Sequence, residues 1–143
     1  MSTMPNKAEF FDSNSFVLYG VSPKRTTFAE SIKKELENRG RKVYPIDRSG
    51  KIGYKDIYSL PDKTDRAIVA LGRANSPSII DELVGGGIKQ VWLQFGAYNK
   101  EIIERFRKNG IETHTGCVLM YTPDTALFHR VHKFFHELIG KDK

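Results

Sequence analysis

Short apolar runs alternate with helical patterns along this chain of 143 residues, and that alternation restricts its fold more than any other feature of the sequence. Five runs are predicted as strands, at residues 16–19, 43–47, 67–71, 90–95 and 111–115. Helical patterns follow four of the runs, whereas residues 48–64 carry at most a single turn. Strands and helices in this order predict right-handed crossovers and a parallel sheet with helices on both faces. We therefore predict a Rossmann-like three-layer α/β domain with a sheet of about five strands.

Two of the predicted helices begin with sequence signals that are typical of helix N-termini. Thr27 and Glu30 have the spacing of a capping box at the start of the first helix. Ser76 before Pro77 predicts an N-cap followed by proline at the first helical position. Pro45 lies within the second predicted strand, and it indicates an edge strand or a gap in the hydrogen-bond ladder there.

Length and spacing favour one domain with a single core. We predict that this domain covers residues 15–122, after an N-terminal extension at residues 1–14. A further helical pattern opens at Thr122-Pro123. It predicts a C-terminal helix, within residues 123–143, that packs on the same domain.

Composition and charge limit the classes of function. The formal net charge of +6 indicates either a solvated basic surface or attraction for an anionic partner. The sequence contains no Lys/Arg block and no RNA-binding aromatic motif, so a small anionic ligand is favoured over nucleic acid. No apolar run approaches the roughly 20 residues of a membrane-spanning helix, and no membrane partner is expected. The single cysteine, Cys117, suits a reducing compartment, and we expect a cytoplasmic protein.

The turn after the first predicted strand has features of a phosphate-binding turn. Gly20 ends the strand, and Ser22, Lys24, Arg25 and Thr26 lead into the helix that follows. Glycine lets the backbone approach a ligand, and the helix N-terminus attracts anions. Only one glycine of the dinucleotide fingerprint G-x-G-x-x-G is present, which argues against tight binding of NAD or FAD. An ordinary capped turn with exposed basic residues fits this segment equally well.

Several separated motifs resemble those of the small CoA-binding proteins. The motifs are YGVSPKRTTFAESIKKELENRGRKVYPID at 19–47, KIG at 51–53 and VWLQFGAYNKEIIERFRKNGI at 91–111, followed by Cys117. That family comprises single-domain relatives of the CoA-binding domain of the succinyl-CoA synthetase alpha subunit. In it, a strand ending Gly-x-Ser precedes an Arg-containing turn, the second strand ends Pro-x-Asn or Pro-x-Asp, and a WLQ-x-G segment comes later. The resemblance covers residues 15–118 and implies a Rossmann-like fold that holds the ADP part of CoA on the first strand–helix turn.

The resemblance also implies which residues contact CoA. Those implied for the diphosphate are Gly20, Val21, Ser22, Lys24, Arg25 and Thr26. Those implied for the adenosine and its 3′-phosphate are Asp47, Arg48 and Lys51. Those implied for the path of the pantetheine arm are Gly72, Arg73, Gln94 and Gly96. Residues 118–121 are apolar where the family continues with a polar stretch, so nothing is carried over after Cys117.

The remaining histidines and the cysteine give weaker evidence for a functional site. His129, His132 and His136 share one face of the last predicted helix, but no cysteine or carboxylate pair completes a zinc site, so no metal is expected. No histidine can be assigned as a base for Cys117, and no catalytic residue is predicted.

Three functions stay open. The favoured one is a protein that binds CoA or an acyl-CoA, without catalysis by the isolated chain, and that acts alone, as a homo-oligomer or with a partner protein. The second is an NAD(P)-binding oxidoreductase or redox sensor, for which Asp47 at a strand end would suit a ribose hydroxyl. The third is a synthetase-like subunit whose chemistry needs a second chain.

Overall fold

The structure, a computed structural model, describes residues 7–118 and contains a five-stranded parallel sheet. Its strands are β1 Ser15–Tyr19, β2 Lys42–Ile46, β3 Arg66–Val69, β4 Gln90–Gln94 and β5 Glu112–Gly116. Their order across the sheet is β2-β1-β3-β4-β5, and every neighbouring pair is parallel. This order confirms the predicted Rossmann-like α/β fold. It also places β2, which contains Pro45, at an edge as expected.

Helices connect the strands in the predicted places. The α-helices of the described part are α1 Lys7–Phe10, α2 Phe28–Asn38, α3 Ile80–Gly85 and α4 Lys100–Lys108. Two 3₁₀ turns, at Ile57–Ser59 and Ser76–Ile79, lie in the β2–β3 and β3–β4 connections. The single turn at Ile57–Ser59 agrees with the absence of a long helical pattern between residues 48 and 64.

Helices cover both faces of the sheet. Successive residues of a strand point to opposite faces, so neighbouring residues of β1 pack against different helices. On one face, Leu18 of β1 packs in a cluster with Ile32 of α2. On the other face, Val17 of β1 packs in a cluster with Leu83 of α3 and Phe106 of α4. The three-layer arrangement is therefore confirmed within residues 7–118.

The helix starts differ in detail from the expected signals. Thr27 is the N-cap of α2, but its hydroxyl donates to the Gly20 carbonyl oxygen at 2.9 Å and makes no bond to the helix. The predicted capping box with Glu30 is therefore wrong. Ser76 is the first residue of a 3₁₀ turn rather than an N-cap, and its buried hydroxyl donates to the Ala97 carbonyl oxygen at 2.6 Å.

The segment before β1 contributes to the core. Phe10, the last residue of α1, is fully buried, and its ring centroid lies 5.5 Å from those of both Phe16 and Trp92. Cys117 is also buried, in the same cluster as Phe10. The predicted C-terminal helix at 123–143 and its three histidines lie outside the described residues.

Candidate functional site

The first strand–helix turn lies where the order of the strands reverses. β1 connects through α2 to β2 on one side, whereas β3 pairs with β1 on the other side and leads on to β4. In open α/β sheets, ligands bind outside the carboxyl ends of the strands at such a reversal point. Gly20, which follows β1, and Ala70, which follows β3, meet at this point.

Gly20 is held against the end of β3. Its φ is +127°, and a Cβ atom built on it would lie 2.7 Å from the Ala70 carbonyl oxygen. Only glycine adopts this backbone conformation readily, and only glycine fits this contact. The residue is therefore required by the packing of the turn, whatever it contributes to a ligand.

The turn between Gly20 and α2 presents positive charge without a counter-ion. Lys24 and Arg25 are exposed and form no ion pair with any residue between 7 and 118. The Ser22 hydroxyl oxygen accepts the Lys24 backbone N–H at 3.2 Å, which shapes the turn. Val21 is half-buried and Thr26 is exposed. The structure thus brings together the residues predicted for the diphosphate on one turn.

Asp47 shapes the loop after β2. Its buried carboxylate accepts the backbone N–H groups of Ser49, Lys51 and Ile52, each at 3.0 Å, as well as the Ser49 hydroxyl. The bond from the Ile52 N–H, with those from Ser49 and Lys51, holds the pKa of the Asp47 carboxyl below its usual value. Both oxygens are engaged in this loop, which leaves this carboxylate poorly suited to a ribose hydroxyl.

Arg48 forms an ion pair that the sequence did not indicate. Its guanidinium donates to both carboxylate oxygens of Glu82, at 2.8 and 2.6 Å, and to the Lys55 carbonyl oxygen at 3.0 Å. The same carboxylate accepts the Tyr19 hydroxyl at 3.1 Å and the Ile57 backbone N–H at 3.0 Å. Glu82 therefore joins α3 to the end of β1 and to the β2–β3 connection.

The pKa values of this cluster reflect burial and these bonds. Burial raises the pKa of Glu82, but the bonds from Arg48, Ile57 and Tyr19 together lower it below its usual value. Burial, followed by the neighbouring Glu82 charge, raises the pKa of the Tyr19 hydroxyl. At neutral pH the cluster therefore contains a charged Glu82–Arg48 pair and a neutral phenol.

Lys51 lines a groove that Arg48 does not line. Arg48 is directed to α3, whereas Lys51 lines a groove of about 780 Å³ along the edge strand β2. The cationic residues of that groove are Lys33, Arg41, Lys42 and Lys51. Arg48 is engaged with Glu82, and only Lys51 of the two faces this groove.

The remaining predicted residues lie at the ends of β3 and β4. Gly72 and Arg73 are exposed, and Arg73 forms no ion pair with a residue in the described range. Gln94 is 2% exposed, and its Oε1 accepts the Val118 backbone N–H at 2.9 Å. Gly96 is exposed with φ at +92°. Gly72 and Arg73 follow β3, which pairs with β1. Gln94 ends β4, one strand farther across the sheet, and Gly96 follows it.

Sequence reasoning missed two residues of the cluster around the Arg48 ion pair, Glu82 and Tyr19. Glu82 falls on the polar side of a predicted helix, and nothing local indicates that Arg48, 34 residues away, would be its partner. Tyr19 appears in the sequence only as the last residue of an apolar run.

Comparison with known proteins identifies the family. The sequence profile of the CoA binding domain matches residues 14–123. The chain belongs to the CoA-binding domain family. A search of curated proteins finds no match. No helix within residues 7–118 is long and apolar enough to cross a bilayer, and these residues form no group of three or more metal-ligating side chains.

Solved structures share the fold of this CoA-binding domain. A hypothetical protein from Pyrococcus horikoshii OT3 is 23% identical, with a TM-score of 0.69 over 80% of this chain and 84% of that one. A conserved hypothetical protein from Pyrococcus furiosus is 25% identical, with a TM-score of 0.67 over 77% of this chain and 100% of that one. A dinucleotide-forming acetyl-coenzyme A synthetase from Ca. Korarchaeum cryptofilum is 21% identical, with a TM-score of 0.62. The match to the synthetase covers 76% of this chain but only 27% of the synthetase.

Proposed function

We propose that this chain binds CoA or an acyl-CoA, with the diphosphate on the turn between β1 and α2. The observation that carries the proposal is the position of Lys24 and Arg25. Both are exposed without a counter-ion in the described part of the chain, on the turn where the strand order reverses. The dipole of α2 adds to this positive charge at the N-terminus of the helix. Membership of the CoA-binding domain family supports the same ligand.

The rest of the ligand would contact the chain at the ends of β2, β3 and β4. The adenosine would lie near the loop that Asp47 shapes, with Lys51 as the cation nearest to the 3′-phosphate. The pantetheine arm would run past the ends of β3 and β4, where the predicted residues are Gly72, Arg73, Gln94 and Gly96. Binding without catalysis is the expected role of the isolated chain. Cys117, the one thiol of the sequence, is buried.

A synthetase-like subunit that needs a partner is a second candidate. The acetyl-coenzyme A synthetase that shares this fold is a much longer chain, of which this one matches 27%. A second protein would then supply the chemistry while this chain presents the CoA. The oxidoreductase alternative is weaker, because both oxygens of Asp47 already accept hydrogen bonds from the loop of residues 49–52.

Calorimetric titration of the whole chain with CoA and with NAD tests the proposal. CoA should bind more tightly, and added salt should narrow the difference because exposed cations are screened. Arg25→Ala should weaken CoA binding about fivefold, the effect of one exposed charge-assisted contact of about 1 kcal/mol. Arg105→Ala, a control on the exposed side of α4, should leave the affinity unchanged. Tighter binding of NAD than of CoA would contradict the proposal and favour the oxidoreductase.

A further inference from the structure

The outer edge of β2 is open at the amino half of the strand. The Lys42 backbone N–H donates to the Asn14 carbonyl oxygen at 2.9 Å, so it faces the neighbouring strand β1. Backbone groups alternate in direction along a strand, and the N–H and C=O of Val43 therefore point away from the sheet. The Pro45 carbonyl oxygen also points outward, where it accepts the Tyr54 backbone N–H at 2.8 Å. Within residues 7–118 no group bonds the two outward groups of Val43, which leaves one donor and one acceptor open.

Positive charge surrounds this open edge. The groove of about 780 Å³ along β2, called the β2 groove below, is lined by Lys33, Arg41, Lys42 and Lys51. Glu37 is the one carboxylate among the described residues that line it. Four cations and one carboxylate give the β2 groove a net charge of +3, which is half of the formal charge of +6 of the whole chain.

The cations at the amino half of β2 are available to a partner. Arg41 is half-buried and forms no ion pair with a residue in the described range. The Lys42 Nζ lies 3.9 Å from an Asp62 carboxylate oxygen, but both side chains are more than half exposed, so this pair is weak. The Glu37 carboxylate is engaged by Lys33 at 2.9 Å. It therefore does not neutralise Arg41 or Lys42.

The open backbone and the charge together favour one kind of occupant. A second copy of this chain, paired through the same edge, would place two cationic grooves against each other and be repelled. A phosphate chain has acceptors but offers no donor to the Val43 carbonyl oxygen. An extended peptide offers both an N–H and a C=O to a strand edge, and acidic side chains would complement the cations.

We propose that the amino half of the β2 edge binds an acidic segment of a partner protein as an additional strand. The backbone of the segment pairs with the N–H and C=O of Val43, and its carboxylates contact Arg41 and Lys42. Pro45 has no N–H, and its carbonyl oxygen is engaged by Tyr54, so the pairing ends there. The inference is independent of CoA binding, because the ligand proposed above contacts the carboxyl ends of the strands.

The test measures the binding of three capped synthetic peptides by fluorescence anisotropy. Each has about six residues, the usual length of a strand. Glutamate alternates with valine in the first peptide, and lysine replaces glutamate in the second. The third has the sequence of the first but is methylated at every backbone nitrogen, so it keeps the charges and has no backbone donor.

Two double variants of the whole chain are compared with the wild type. Arg41→Ala combined with Lys42→Ala removes two positive charges from the β2 groove. Arg105→Ala combined with Lys108→Ala removes the same charge from the exposed side of α4 and is the matched control. Calorimetric titration with CoA shows whether either pair of substitutions affects the CoA site.

We expect the wild type to bind the glutamate peptide at least about tenfold more tightly than the lysine peptide or the methylated peptide. The Arg41, Lys42 variant should bind the glutamate peptide about tenfold more weakly than the wild type, through the loss of two exposed contacts. The Arg105, Lys108 variant should bind it as the wild type does. Added salt should weaken this binding, because exposed charges are screened. Neither double variant should change the affinity for CoA.

Three results would overturn the inference. Equal binding of the glutamate peptide and its methylated counterpart would mean that the β2 groove attracts anions by charge alone, as it would attract a nucleic-acid backbone. Absence of binding to the wild type would mean that the cations and Pro45 only protect the edge strand from pairing. A loss of CoA affinity in the Arg41, Lys42 variant that matches its loss of peptide affinity would assign the groove to the CoA site.

Discussion

The guanidinium of Arg48 and the carboxylate of Glu82 form a two-point ion pair, with N–O distances of 2.8 and 2.6 Å. Arg48 follows the edge strand β2, whereas Glu82 belongs to α3 on one face of the sheet. The pair therefore ties the loop after β2 to α3, beside the end of β1. Glu82 is 12% exposed and also accepts bonds from Tyr19 and from the Ile57 backbone, so its carboxylate is the centre of this cluster.

Removal of the Glu82 charge should destabilise the fold. Glu82→Gln keeps the size of the side chain but weakens four hydrogen bonds at one nearly buried group. We expect a loss of about 1–3 kcal/mol in the free energy of unfolding. A fully buried ion pair would lose more, but Arg48 is largely exposed to solvent. Urea denaturation followed by circular dichroism measures this loss.

Glu104→Gln is the matched control for that measurement. Glu104 lies on the exposed side of α4 and forms no ion pair with a residue between 7 and 118. Its substitution should change the free energy of unfolding by less than about 0.5 kcal/mol. Equal effects of the two substitutions would show that the Glu82 cluster does not stabilise the chain.

Local sequence patterns were enough to predict the fold but not the contacts between distant segments. The five strands and their helices follow from the spacing of apolar residues, and Pro45 correctly indicated an edge strand. The residues predicted for the diphosphate are adjacent in the sequence, so their grouping on one turn could be predicted. The Arg48–Glu82 pair joins residues whose partners are set only by the packing of α3 on the sheet. Thr27 is the N-cap of α2, but its predicted capping box with Glu30 was wrong because its hydroxyl bonds to the Gly20 carbonyl oxygen across the turn.

Acid should destabilise the chain through Asp47 and Glu82. The pKa values of both carboxyls are lower in the folded chain than their usual values, so both groups bind protons less readily when folded. Their stabilising contribution is complete above the unfolded pKa values, near 4, and is lost as the pH falls through the folded values. The free energy of unfolding should therefore fall steeply below about pH 4. In Glu82→Gln the fall should be shallower, and an unchanged slope would show that Glu82 does not contribute to it.

Gly20 should tolerate even a methyl group poorly. In Gly20→Ala the new Cβ would meet the Ala70 carbonyl oxygen at 2.7 Å, in a backbone conformation with φ at +127°. We expect a loss of at least about 2 kcal/mol in the free energy of unfolding. Gly40→Ala is the control, because its φ is also positive, at +79°, but no heavy atom lies within 4 Å of its Cβ position. Gly40→Ala should lose about 1 kcal/mol from backbone strain alone. Equal losses would mean that the contact with Ala70 relaxes without cost.

The 3′-phosphate of CoA should depend on Lys51 more than on Arg48. Arg48 is engaged by Glu82, so contact with a phosphate would require the loss of two charge-assisted bonds. Lys51 is exposed in the groove beside β2 and forms no ion pair within residues 7–118. An exposed lysine–phosphate contact of about 1 kcal/mol corresponds to about fivefold in affinity. We therefore expect Lys51→Ala to reduce the preference for CoA over dephospho-CoA about fivefold, as measured by calorimetry with the two ligands.

Arg48→Ala is the comparison variant, and it should lower the free energy of unfolding but keep the preference for CoA over dephospho-CoA. If Arg48→Ala removes the preference and Lys51→Ala keeps it, the phosphate displaces Glu82 from Arg48 on binding, and the roles assigned to these two cations are reversed.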